Sequence, residues 1–176
     1  MAFVVLLRGV NVGGHRTFRP SRLAGQLRHL DAVNIGAAGT FVIRQRVGRA
    51  QLRAEFARRL PFDTEVMICP GRDVARLISH NQFSDAPSRP DIVRFVSVLS
   101  RRPRTELRLP LSLPPRGRWL LKVVGCDGRY ALGMYRRHMK VIGYLGTLDR
   151  LFGVPVTTRN WNTFTAIAKV LDGGTG

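Results

Sequence analysis

Two short stretches carry the residue types that could do chemistry. Near the start, Arg8-Gly9-Val10-Asn11-Val12-Gly13-Gly14 follows the apolar run Ala2–Leu7. Glycines there permit positive φ and close backbone approach, and successive backbone N–H groups can form an anion-binding nest. The stretch lacks the Gly-Lys-Ser/Thr ending of a P-loop and is not G-x-G-x-x-G, so a plain strand-to-helix loop explains it equally well. Near the end stands Thr157-Thr158-Arg159-Asn160-Trp161-Asn162-Thr163. Asn160, Asn162 and Thr163 are each suited to cap a helix, whose first turn supplies free N–H groups and partial positive charge. Arg159 adds a forked donor for a carboxylate or phosphate. Capping alone, with Trp161 pinned in the core, is the competing account, but a polar set this dense around one tryptophan favours a ligand.

Other chemistries find less support. His15, His29, His80 and His138 are scattered without the spacing of a metal pair, so no metal or other cofactor is expected. Cys69 and Cys126 have no histidine nearby in sequence to activate a thiol, and two cysteines cannot build a disulfide framework. No Gly-x-Ser-x-Gly, kinase, zincin or paired-carboxylate pattern occurs, which leaves open whether the protein is an enzyme. The strand around Phe41 lacks the several aromatics of an RNA-recognition sheet.

The charge is far from balanced. Of 176 residues, 29 are Lys or Arg and 11 are Asp or Glu, a formal net charge of +18. Only Lys122, Lys140 and Lys169 are lysines, a skew expected of a GC-rich genome; that skew explains the choice of arginine but not the shortage of acids. The excess favours phosphate-bearing partners in general. It is densest at Arg101, Arg102, Arg104, Arg108, Arg116 and Arg118, with Glu106 the only acid among them. Pro103, Pro110, Pro114 and Pro115 in the same segment mark an exposed connection. A solvated loop is one reading of it, and nucleic-acid contact is the other. The longest apolar run is too short to cross a bilayer and lacks the basic n-region and small-residue cleavage site of a secretory signal, so no membrane contact is expected and the cytoplasm is the expected compartment.

The elements that would position these residues follow from periodicity. Ala2–Leu7 reads as a strand buried on both faces. Pro20 opens a helix through Leu23, Leu27 and Leu30, and strands follow at 32–35 and 40–44. A helix over 48–60 places Leu52, Phe56 and Leu60 on one face; a strand over 64–69 and a short helix through Val74 and Leu77 complete the half. The second half repeats the order: a strand at 92–99, the Arg/Pro segment, a hairpin of 119–124 and 130–135 turning at Cys126-Asp127-Gly128, a helix over 141–152, a strand at 154–158 and a last helix. The order β-α-β-β-α-β is the split βαβ, ferredoxin-like unit. The expected fold is therefore α+β: two ferredoxin-like units, each with an added helix, as an internal duplication. Their bounds would be 1–86 and 90–172, with 173–176 a flexible tail. The first helix of the second unit is the weak point, because prolines crowd its place.

With "LLRGVNVGG" and "TTRNWNTFTAIAKVL" at its ends, the chain resembles the bacterial domain-of-unknown-function 1697 family. His80–Phe83, "HNQF", is similar to that family's Asn-Pro-Phe stretch. The resemblance implies duplicated α+β units with no established activity and no catalytic residues to carry over. The matching positions are Arg8, Gly9, Asn11, Gly13 and Gly14, then Thr158, Arg159, Asn160, Trp161 and Thr163. The chain departs at Ala38-Gly39-Thr40, where the family commonly has Ser-Gly-Asn, and at His15, where Lys is usual.

Together these readings give a protein of unassigned reaction with an anion site. Arg8 and Arg159 would hold a phosphate or carboxylate, the Gly13-Gly14 backbone would close over it, and Asn11 and Asn160 would orient it. The alternative is a non-specific nucleic-acid-binding module using the Arg101–Arg118 surface. The oligomeric state is not legible.

Overall fold

In the structure, a computed structural model that describes residues 1–10, 17–83 and 88–173, the opening apolar run forms strand β1 (Phe3–Leu7), buried along its whole length. The chain is a mixed α+β protein with two antiparallel sheets. Its contacts divide it into two units, Met1–His80 with Asn162–Gly176, and Asn81–Trp161.

In the first unit, β1 is followed by α1 (Pro20–Gln26), a 3-10 turn at Arg28–Leu30, β2 (Ala32–Ile35), β3 (Thr40–Ile43), α2 (Arg49–Arg59), β4 (Val66–Pro70) and α3 (Gly71–Ser79). Proline at the start of α1 removes a donor that the helix would leave unbonded in any case. The strand order is β2-β3-β1-β4, every pair antiparallel. Because side chains alternate along a strand, Phe3, Val5, Leu7, Phe41, Ile43, Val66 and Ile68 share one face. They form a core with Leu23, Leu27, Leu52 and Phe56 from the helices. Phe41 and Phe56 meet edge to face at 5.3 Å. Val4, Leu6, Val42, Met67 and Cys69 point the other way and are buried as well. The C-terminal helix groups with this unit from Asn162 onward. A Cβ at Gly71 would lie 3.0 Å from both the Leu171 side chain and the Ala2 carbonyl oxygen, so the space for any side chain there is tight.

The second unit holds β5 (Ile92–Leu99), β6 (Leu111–Leu113), β7 (Leu121–Asp127), β8 (Tyr130–Arg136), α4 (Val141–Gly146), α5 (Leu148–Phe152) and β9 (Val156–Asn160); α6 (Trp161–Asp172) follows at once. Its sheet runs β6-β7-β8-β5-β9, again antiparallel. Phe95, Leu99, Leu121, Val123, Ala131 and Val156 form its core with Val141, Leu148 and Phe152.

Four local expectations are corrected. No helix forms between β5 and β7; Leu107, Leu109, Leu111 and Leu113 pack on the core at a period of two, and the last part of the segment is strand β6. Prolines remove the donors a helix would need, while the alternating leucines bury well only from extended backbone. The helix expected over 141–152 is two, because Thr147 turns both its N–H (3.0 Å) and its hydroxyl (2.6 Å) back onto the Tyr144 carbonyl. Cys126 and Asp127 lie in β7, so the hairpin turns at Gly128-Arg129, with Gly128 at φ +60°. The last strand is displaced two residues toward the C-terminus, since pairing of Leu99 with Val156 and Phe95 with Asn160 draws Arg159 and Asn160 into the ladder. The expected tail beyond Gly173 lies outside the described residues. Among the described residues, no helix is long and apolar enough to cross a membrane.

Candidate anion-binding site

Arg8 is the first residue after β1, and its backbone is fixed on both sides. Its N–H donates to the Glu65 carbonyl (3.1 Å), and its own carbonyl accepts from the Thr64 hydroxyl. Gly9 follows at φ +67°, which a side chain would strain. Val10 returns to the core beside Gly39, where a Cβ would lie 2.7 Å from the Val10 side chain and 2.9 Å from that of Leu7. Glycine is therefore required in the Ala38-Gly39-Thr40 turn. Asn11, Gly13, Gly14 and His15 lie outside the described residues.

The second motif is built on β9. Thr158 and Arg159 stand on opposite faces of the sheet, as strand alternation demands. The Thr158 hydroxyl is 2.6 Å from that of Ser97, its cross-strand partner, on the face that carries Phe95 and Leu99. Arg159 lies opposite Val96 and is only 8% exposed. Its Nη1 donates to Thr157 Oγ1 (2.7 Å) and to the Thr158 carbonyl (3.0 Å). Burial pulls its pKa down to about 10, because a desolvated cation is disfavoured. The structure thus joins Arg159 to Thr157 and to the backbone of Thr158, and directs the Thr158 side chain elsewhere. Asn160 is exposed and Thr163 is half-buried in the first turn of α6.

Trp161 meets Phe83 edge to face at 5.1 Å, and the Arg94 guanidinium lies 5.8 Å from the Phe83 ring centre. Phe83 is 1% exposed, and its N–H bonds to Asn81 Oδ1. The "HNQF" stretch and the Trp161 motif are therefore one local assembly. Residue types alone gave no reason to place Thr157, Phe83 and Arg94 in this assembly; the family likeness of "HNQF" was the available signal for Phe83.

The arginines of the alternative reading, Arg101, Arg102, Arg104, Arg108, Arg116 and Arg118, are all exposed. They project from the segment whose leucines hold it to the second core.

A mixed α+β chain with two antiparallel sheets and a buried arginine bonded to Thr157 and to the Thr158 carbonyl defines no known reaction class by itself. The chain belongs to the family described as protein of unknown function (DUF1697), whose profile matches residues 1–118. Among solved structures it is similar to the conserved bacterial protein SP0830 from Streptococcus pneumoniae, at 15% sequence identity and a TM-score of 0.60, over 97% of this chain and 98% of that chain. That likeness is one of fold. No curated protein matches the chain.

Proposed function

We propose that the protein binds a small anion, a phosphate or carboxylate, through the two motifs, with Arg159 as the principal donor. The observation that carries this reading is the burial of Arg159, a cation held out of water on short hydrogen bonds to Thr157 and Thr158. Burying a guanidinium is costly, and an anion arriving there meets a donor that is already desolvated and oriented. Arg8, Gly9, Asn11, Gly13 and Gly14 are the first motif's ligand residues in this reading; Asn160, Trp161 and Thr163 complete the second, with Thr158 positioning Arg159 through its carbonyl. Calorimetric titration with inorganic phosphate and with citrate tests it. Arg159→Met and Arg8→Ala, made separately, should each weaken binding about tenfold or more, the value of one charge-assisted hydrogen bond. Wild-type affinity in both variants would remove the proposal.

We also propose that both units are ferredoxin-like and descend from an internal duplication, with a boundary near residues 86–90. With the short β6 set aside, β7-β8-β5-β9 follows the same order within its unit as β2-β3-β1-β4 does in the first, which supports the reading. An experimental structure with a different strand order in either sheet would sink it. The cytoplasm is the proposed compartment, testable by fractionation of cells expressing the tagged protein.

A second reading, nucleic-acid binding by the Arg101–Arg118 segment, is favoured by the exposure of all six arginines there.

A further inference from the structure

The second unit has another cationic concavity, separate from Arg159. A cavity of about 290 Å³ is lined by Asp91, Arg118, Leu120, Arg136, Arg137 and His138. Three arginines against one aspartate give a formal charge of +2. Two of these arginines are held by backbone carbonyls through Nε: Arg136 on Trp119 (2.9 Å) and Arg137 on Pro90 (3.1 Å). The Arg136 guanidinium also stacks on the Trp119 ring at 4.1 Å, with the Lys122 ammonium 4.8 Å from the same ring. Its side chain is 15% exposed, and its Nη1 lies 3.6 Å from Asp91 Oδ2. Asp91 is shared with Arg89 at 3.0 Å, so it neutralises Arg136 only in part. Among the described residues, the Nη groups of Arg137 and the whole Arg118 guanidinium make no hydrogen bond. His138 Nδ1 accepts from the Lys140 N–H (3.1 Å), which puts the ring proton of the neutral imidazole on Nε2 and makes that edge a donor.

We infer that this cavity is a site for a phosphate monoester. Its polar edges are donors apart from Asp91, two of its forks are pre-oriented, and its net charge matches a dianion better than the single charge of a carboxylate or of a bridging phosphodiester. The volume, near the lower end for ligand pockets, suits a phosphoryl group with its sugar and not a whole dinucleotide. A free nucleotide and a strand with a terminal phosphate present the same group. The inference does not depend on the Arg159 reading, because none of the lining residues belongs to either motif.

The test is an amide-resolved NMR titration of the intact protein with adenosine 5′-monophosphate, adenosine, and oligothymidine with and without a 5′ phosphate. Saturable shifts should gather at the amides of Arg118, Leu120, Arg136, Arg137 and His138 with the phosphorylated probes, and should remain there in Arg159→Met. The tighter of the two phosphorylated probes identifies the source. The double variant Arg118→Gln/Arg137→Gln should weaken binding about tenfold or more, while Arg28→Gln/Arg46→Gln, which removes equal charge from exposed positions of the first unit, should change it less than about threefold. Both pairs hold exposed side chains. The inference is overturned if the probes leave these amides unmoved, if adenosine moves them equally, or if the two double variants weaken binding alike.

Discussion

Two buried charges solve the same problem differently. Glu55, on α2, is 8% exposed. Its carboxylate is gripped by the Arg59 guanidinium, with Arg58 at 2.6 Å and His29 at 3.5 Å. Burial pushes its pKa up, but the fields of Arg59, Arg58 and His29 and the Arg59 hydrogen bond outweigh that, and the net displacement is downward. A carboxylate lowered on folding adds stability that is present above its unfolded pKa and lost as pH falls through its folded value. Glu55→Gln should therefore lower the midpoint of denaturant unfolding at pH 7, and the gap from wild type should close as the pH falls below about 4. A gap that stays constant with pH would show that packing, and not charge, is what Glu55 supplies. Arg159 instead has its pKa pulled down to about 10 by desolvation, equivalent to about 3 kcal/mol of penalty on the charged form at neutral pH. An anion that binds there offsets the penalty. Phosphate should accordingly raise the melting temperature of the wild type by more than that of Arg159→Met, a difference that differential scanning fluorimetry reads directly.

Among the elements, close approach decides which glycines matter. A methyl at Gly133, in β8, would overlap the Lys122 carbonyl oxygen and the Phe95 ring, whose Cε1 lies 2.8 Å from the new carbon. Phe95 is fully buried and cannot swing away. Gly133→Ala should cost about 1–3 kcal/mol in chemical denaturation, the ordinary range for overpacking. At Gly143, exposed in α4, an added methyl carbon would have nothing within 4 Å. Alanine there should stabilise by about 0.5–1 kcal/mol, since it restricts the unfolded chain and favours helix. Equal effects at the two sites would show that steric contact is not the deciding variable. The same distinction between local pattern and tertiary contact explains what the sequence revealed. Strands β1 and β5 were legible because an unbroken apolar run has few other ways to be buried. Helices α1 and α2 were legible because leucine and phenylalanine recur at their turns. The segment between β5 and β7 was not, because its prolines hid an alternation of leucines whose meaning depends on the core beneath. Thr157-Thr158-Arg159 has the composition of a loop, and only pairing with β5 makes it a strand. The Arg118, Arg136, Arg137 and Asp91 cluster was not legible at all, since it gathers segments with no shared spacing.

For the molecule as a whole, a net charge of +18 must express itself in solution. Charge alone predicts non-specific attraction to any polyanion, so the informative quantity is how binding responds to salt. For single-stranded nucleic acid, the logarithm of affinity falls with the logarithm of salt by about 0.7 per phosphate neutralised. If all six arginines of the Arg101–Arg118 segment engage phosphates, the slope should be about −4. Replacing Arg102, Arg104 and Arg108 by Gln should reduce it by about 2 units, because each exposed guanidinium displaces its own counterion. A small anion in a preformed site releases few counterions and should show a much shallower slope. Gel-shift titration of a thirty-base oligothymidine across several salt concentrations, with wild type and the triple variant, separates the two modes. A shallower slope in the variant places nucleic acid on that segment. An unchanged slope would mean that the segment is a solvated connection, and that attraction arises from arginines spread over the rest of the surface.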